Sequence, residues 1–315
     1  MRQVTNVTSD AAALTEADET IFDDQIRNSK GRVVEPPALA ADVQIADTHC
    51  HLDMLRHPEL ALARAAALGV SFVVSVTDPS EDAAYTYREI AAWKDQAAEL
   101  LKQWKSDRQP PKTRVIIGCH PHNSAKYDAQ VESAMLELIH NQQTVAIGEI
   151  GLDYHYDASP RDVQRQVFRR QLELALNCDL PVALHLREAH ADGLAILDEV
   201  GWPPAGVLLH CYTLGYREVQ PFLERGAQVA FGGTLTFKKA DELRDAAARI
   251  SLDRIVTETD APFMTPEPVR GTLCGPEHTA YTAACLARVR GADDDRQTAE
   301  VLAAVYQNAL RFFDR

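Results

Sequence analysis

The stretch VQIADTHCH at residues 43–51 is a short apolar run that closes on two histidines. The same pattern returns in TVAIGEI (144–150), PVALHL (181–186), GVLLHCY (206–212) and RIVTETDAP (254–262). Runs this rich in Val, Ile and Leu read as strands buried on both faces. Each delivers metal-competent side chains at its end: His49, His51, Glu149, His185, His210 and Asp260. Successive residues of a strand face opposite ways, so His49 and His51 point together and Cys50 points away. A single H-x-H carries little information. Six nitrogen and oxygen donors on five strand ends describe one rim.

Three more apolar runs, SFVVSV (71–76), RVIIGC (114–119) and AQVAF (227–231), complete a set of eight. Strands are expected over 43–48, 71–76, 114–119, 144–149, 181–185, 206–211, 227–231 and 254–259. Helical spacing fills the gaps at 58–68, 80–105, 130–140, 160–177, 189–199, 215–225 and 238–249, with two further helices at 278–290 and 295–312. Strands alternating with helices imply parallel pairing, and eight of them imply an α/β fold of the closed (β/α)8, TIM-barrel type with extra C-terminal helices. Active sites of such barrels lie at the C-terminal ends of the strands, where all six donors fall. Residues 1–42 carry eight Asp/Glu against four Lys/Arg and end on Glu35-Pro36-Pro37. They are expected to form a loosely packed or mobile N-terminal extension, with a weak helix over Ser9–Arg27 capped by Ser9. Residues 43–315 form the barrel. The helix over 80–105 is longer than a crossover needs and stops at Pro110-Pro111, which marks a surface insertion against the barrel's outside.

The chain has 315 residues, 46% of them hydrophobic and 25% charged, and a net charge of −14. Tight nucleic-acid binding rests on cations neutralising phosphates, so an acidic surface excludes a broad polyanion-binding face. DNA or another phosphodiester substrate is therefore expected to bind weakly, through metal ions and a few arginines. The six cysteines are scattered, with no C-x-x-C pair. Without a signal peptide or an apolar run of spanning length, they are expected to be reduced thiols in a cytoplasmic protein with no membrane partner.

Imidazoles and carboxylates hold divalent ions that lower the pKa of a water and polarise a carbonyl or phosphoryl oxygen. Glu149 can bridge two such ions. One takes His49, His51, Asp260 and a Glu149 oxygen; the other takes His185, His210 and the second oxygen. Mg, Mn or Zn suits the set. Glu149 and Asp260 are the expected catalytic residues, Asp260 being placed to accept a proton from the attacking water. Glu258 shares the inward face of Asp260. A carboxylate that deep needs partners, so it is expected behind a ligand imidazole, orienting it, with direct ligation as the alternative. His120 and His122 in GCHPHN are expected substrate contacts or turn-forming residues. Arg187 and Arg270 are expected to pair with phosphate or carboxylate. Asp153 and Tyr154 build the loop after Glu149, with Gly148 and Gly151 permitting close backbone approach. His57, His140, His155 and His190 show no such alignment. SPRDVQRQVFRRQLELA (159–175) has the spacing of a core-facing helix with a solvated arginine face.

Taken together, DTHCHLD (47–53), GCHPH (118–122), GEIGLDY (148–154), QRQVFRRQLELA (164–175), HLREA (185–189), HCY (210–212), LTFKKADELR (235–244), TETDAPFMTPEPVRG (257–271) and QNALRFF (307–313) resemble the TatD family of metal-dependent hydrolases, a branch of the amidohydrolase superfamily. The likeness covers residues 45–315. It implies a barrel with two divalent metals on the six donors already named, and a metal-dependent deoxyribonuclease acting at DNA ends. Three features depart from the family pattern. The extension and the insertion around 94–113 are extra, TLGY follows HCY, and the loop after Arg270-Gly271 reads TLCGPEH, without the family's further basic residues and Asn-Glu-Pro. Less positive charge there keeps open a hydrolase of esters, lactones or amides, or a barrel that binds a partner through its extension. His278 in that loop is expected to be an exposed capping residue, with a substrate contact as the alternative.

Overall fold

A computed structural model describes residues 22–314. Among them eight strands pair in parallel in sequence order: β1 (Ile45–Cys50), β2 (Val70–Thr77), β3 (Lys112–Ile117), β4 (Thr144–Asp153), β5 (Val182–Arg187), β6 (Val207–Leu209), β7 (Gln228–Phe231) and β8 (Ile255–Thr257). The helices between and after them are α1 (Pro58–Ala67), α2 (Ala83–Gln103), α3 (Ala129–Ile139), α4 (Arg161–Cys178), α5 (His190–Val200), α6 (Tyr216–Leu223), α7 (Asp241–Arg249), α8 (Thr279–Val289) and α9 (Asp295–Phe313). This is the expected TIM-type barrel.

Inside the ring, small residues alternate with large ones. Ala46, Ala146, Ala183 and Ala230 leave room for Phe72, Val74, Ile116 and Leu208. Phe312 and Phe313 at the end of α9 join this cluster and close the N-terminal mouth of the ring. Lys112 and Arg114 of β3 hold Asp314 there, at 2.6 and 2.7 Å. A second layer of apolar side chains lies between strands and helices.

The ring closes without a ladder between β1 and β8. Thr48 Oγ1 donates to the Thr257 carbonyl at 3.0 Å, and Thr257 Oγ1 to that of Ala46 at 2.8 Å. Buried Asp47 accepts from the Thr259 hydroxyl at 2.6 Å and from its amide at 2.9 Å. Beyond the strands, the Asp260 amide donates to the His49 carbonyl at 2.8 Å and the His51 amide to that of Ala261 at 2.7 Å. Side-chain hydroxyls thus satisfy carbonyls that a regular ladder would otherwise pair.

Residues 22–42 lie along the barrel. The helix expected over Ser9–Arg27 falls largely outside the described residues, and 22–27 are not helical. Ile26 is buried against Val269 and Tyr281. Arg64 Nε donates to the Asp23 carbonyl at 3.0 Å, Trp104 Nε1 to that of Phe22 at 3.1 Å, and Arg108 to that of Ala41 at 2.5 Å. Trp104 and Arg108 lie just beyond the end of α2, so the segment that precedes β1 is held by the stretch between α2 and β3. Residues 26–34 form a tight hairpin, with Val34 N donating to Ile26 O and Asn28 N to Arg32 O.

Candidate metal centre

At the C-terminal mouth, the backbone turns sharply to present the donors. β6 ends at Leu209 and β8 at Thr257. Cys211 and Asp260 then take left-handed φ values of 46° and 61°, a region that costs most L-residues energy. His210 and Asp260 therefore reach the pocket from turns rather than from strands.

Glu149 occupies the centre. Its Oε2 lies 3.2 Å from His49 Nε2 and 3.7 Å from His51 Nε2. Its Oε1 faces His185 Nδ1 at 2.5 Å, His210 Nε2 at 3.4 Å and His120 Nε2 at 3.5 Å. Asp260 Oδ1 is 3.7 Å from both His51 Nε2 and His210 Nε2. The rings of His49 and His210 stack with centroids 3.4 Å apart. All six expected donors converge, and donor atoms of His120, Glu149 and His185 lie within 4.8 Å of one another.

The electrostatics call for cationic charge. Burial drives His49 down to about 3, leaving a neutral ligand. Burial opposes the charged form of His185 and His210 too. Glu149 and Asp153 nonetheless raise His185 to about 9, and Glu258, Glu149 and Asp260 raise His210 to about 10. His49 Nδ1 is buried without a hydrogen-bond partner among the described residues. Imidazoles and carboxylates gathered in this way fit divalent metal ions.

Glu258 is fully buried. Its Oε2 lies 3.0 Å from His210 Nδ1, and its Oε1 accepts the Cys211 amide at 2.6 Å. It thus meets the ring nitrogen of His210 that faces away from Glu149. Asp153, also buried, holds His122 Nε2 at 2.8 Å and His185 Nε2 at 3.1 Å on one oxygen. Its other oxygen accepts the amides of His155 and Tyr156.

Two buried glutamines missed in the sequence hold these loops. Gln164 and Gln171 are seven residues apart, two turns of α4, and so share one face. Gln171 brackets Cys119, accepting from its amide at 2.7 Å and donating to its carbonyl at 3.0 Å. Gln164 does the same for Asp153, at 2.8 and 3.1 Å. The spacing was visible, but glutamine at a core position carries no signature of its loop partner. The arginine face of α4 is engaged elsewhere, with Arg165 on Asp192, Arg169 on Glu199 and Arg170 on Glu132.

Arg187 lies over the Tyr156 ring at 4.7 Å and Arg270 over Phe237 at 4.1 Å. Neither guanidinium has an ion-pair partner among the described residues. His278 corrects its expectation: it caps a turn, its Nδ1 accepting from the Gly275 amide at 3.0 Å, but it is buried rather than exposed. The six cysteines are free thiols. No helix among the described residues is long and apolar enough to cross a membrane.

A parallel eight-stranded barrel with an imidazole–carboxylate cluster at its C-terminal mouth defines a hydrolase of the metal-dependent TIM-barrel class. Residues 46–314 match the family described as TatD related DNase, and the chain belongs to that family of metal-dependent hydrolases. It is 36% identical over 199 residues to the uncharacterised metal-dependent hydrolase YabD of Bacillus subtilis, covering 63% of this chain and 76% of the relative. It is 33% identical over 181 residues to the 3'-5' ssDNA/RNA exonuclease TatD of Citrobacter koseri, covering 56% and 70%. Among solved structures it resembles YjjV, a TatD homologue of Escherichia coli, with TM-score 0.72 and 27% identity over 86% of this chain and 98% of that one.

Proposed function

We propose that this protein hydrolyses phosphodiester bonds of single-stranded DNA or RNA, from an end, at a dinuclear metal site. The observation that carries the reading is Glu149, whose Oε2 faces His49 and His51 and whose Oε1 faces His185, His210 and His120. His49, His51, Asp260 and Glu149 Oε2 would hold one ion, and His185, His210 and Glu149 Oε1 the other, with His120 adjacent. Four imidazole nitrogens favour Zn over Mg or Mn. Such ions, when bound, lower the pKa of a water and polarise a phosphoryl oxygen.

The chain's own residues do the rest. Asp260 Oδ2 makes no hydrogen bond among the described residues, which leaves it to accept the proton of the attacking water. Glu258 and Asp153 fix the rings of His210 and His185. Arg187, unpaired and braced on Tyr156, meets a non-bridging phosphate oxygen. The single-strand preference follows the name of the Citrobacter koseri relative.

The test is metal-stripped protein reconstituted with Mg, Mn or Zn and assayed on single-stranded DNA and RNA, duplex DNA, a small phosphodiester reporter, and ester and lactone substrates. Cleavage of the reporter and of single strands, abolished by chelator, is expected. Ester or lactone hydrolysis with no phosphodiesterase activity under any metal would overturn the reading.

A further inference from the structure

The loop after Arg270, GTLCGPEH at 271–278, carries no lysine or arginine, and the structure brings cationic charge to it from elsewhere in the chain. The hairpin of the N-terminal extension turns over at Asn28–Arg32, where Asn28 Oδ1 accepts the amides of Lys30 and Arg32 at 3.0 and 3.2 Å. That tip sits directly on the loop after β8. A side chain built on Gly271 would meet Ser29 Cβ and Oγ at 3.6 Å, and Ile26 beneath the tip is buried against Val269. Lys30 and Arg32 are exposed on that tip, and Arg270, also exposed, precedes Gly271 in the loop beneath it. Arg270 lies across the Phe237 ring, and Lys238 and Lys239 follow it, exposed, in the loop that leaves β7. The β7 and β8 loops are tied together by the Glu267 amide donating to Thr236 Oγ1 at 2.9 Å.

Five cations thus gather from three segments: 28–32, 237–241 and 269–271. None of the five has an ion-pair partner among the described residues. The carboxylate of these segments, Asp241, is held by Arg244 at 2.5 Å. Elsewhere on this acidic protein cations are commonly neutralised locally, as Arg161, Arg169, Arg170, Arg225 and Arg249 are. An unneutralised group that includes an aromatic ring, on the loops after β7 and β8 and the hairpin set against them, has the composition of a single-strand track, with phosphates on the cations and a base against the ring.

We propose that the tip of the N-terminal extension, with Phe237, Lys238, Lys239 and Arg270, forms a binding flank for single-stranded polynucleotide beside the metal centre. The proposal rests on the phosphodiesterase reading and deepens it. The side chains of Lys30 and Arg32 make no hydrogen bond or ion pair among the described residues, so K30Q/R32Q removes charge and leaves the fold.

The experiment measures binding of a fluorescent single-stranded DNA 12-mer to the full metal-free chain by anisotropy at several salt concentrations. Reporter phosphodiester hydrolysis is measured separately on the metal-loaded chain. Each single-strand phosphate contact contributes about −0.7 to the log–log salt slope. K30Q/R32Q should make the slope shallower by about 1.4, and by the same relation weaken binding on the order of 25-fold at 0.1 M salt relative to 1 M. Hydrolysis of the small reporter, too short to reach the flank, should be unchanged. Wild-type protein that fails to bind the 12-mer, or a variant with unaltered slope and affinity, overturns the inference. Loss of all reporter cleavage with binding and slope as expected would instead overturn the phosphodiesterase reading alone.

Discussion

Replacing Glu258 by Gln isolates the role of the carboxylate behind His210. The side chain is fully buried, with Oε2 3.0 Å from His210 Nδ1 and Oε1 accepting the Cys211 amide at 2.6 Å. For His210 to offer Nε2 to a metal, its Nδ1 must carry the proton, so Glu258 then accepts two hydrogen bonds, one on each oxygen. Gln keeps the shape but has one oxygen and one NH2. Whichever way the amide is turned, its NH2 faces a donor, either His210 Nδ1–H or Cys211 N–H. A buried donor left unpaired costs about 1–3 kcal/mol, which at tenfold per 1.4 kcal/mol is about 5- to 150-fold in metal affinity. That range brackets the roughly 10–100-fold usual for groups that orient a ligand. The assay titrates stripped protein with Zn against a competing chelator, then follows activity as a function of free metal. Weakened affinity with kcat restored at saturating metal is expected. Unchanged affinity would refute the orienting role. A kcat loss at saturating metal as deep as that of Asp260→Asn would make Glu258 a direct ligand.

Asp260→Asn itself should lower turnover by about 100-fold or more with metal in excess, while circular dichroism and Tm stay close to wild type; undiminished turnover would remove Asp260 as proton acceptor. His185 and His210 are raised above 6.5, to about 9 and about 10, so in metal-free protein their stabilisation is complete below pH 6.5 and is lost as pH climbs through those values. Metal needs both rings neutral, so calorimetry in buffers of different ionisation enthalpy should record proton release on Zn binding at pH 7, and binding without it would contradict the charged rings. Gly151 has φ +141°, and a Cβ there would stand 2.1 Å from the His185 carbonyl. Gly151→Ala should therefore cost at least the roughly 1–3 kcal/mol of an overpacked site, read from denaturant midpoints; a neutral result would mean β4 and β5 can part freely. Gln171→Leu strands the buried amide and carbonyl of Cys119 and should destabilise by about 1–3 kcal/mol for each group left unpaired, again by denaturant midpoint.

The barrel was legible because strands buried on both faces are written as unbroken apolar runs, and because metal donors at their ends are chemically conspicuous. The expected strands over 206–211 and 254–259 proved shorter, Val207–Leu209 and Ile255–Thr257. Alternation predicts where a side chain points only while the chain stays extended. The left-handed turns at Cys211 and Asp260 lie beyond that rule, even though Glu258 and Asp260 still meet at His210. Gln164 and Gln171 were hidden because amide side chains announce no partner. The charge of the extension was legible as composition, but not as location. The tip that carries Lys30 and Arg32 is set on the loop after β8 by Ile26 against Val269 and Ser29 beside Gly271, contacts between segments that the chain separates by most of the barrel.

The hydroxyl-stitched seam between the first and last strands sets a timetable. Asp47 and Thr259, which it joins, stand 212 residues apart, and the seam's outer bond runs between His49 and Asp260. During synthesis His49 and His51 emerge with the first strand, whereas Asp260 follows the last. A nascent chain therefore offers an ion two imidazoles long before it offers the full cage, and the long loop that must close makes the final step entropically expensive. On the proposed ligand set, retention of the ion against a chelator marks a chain whose first and last strands have joined.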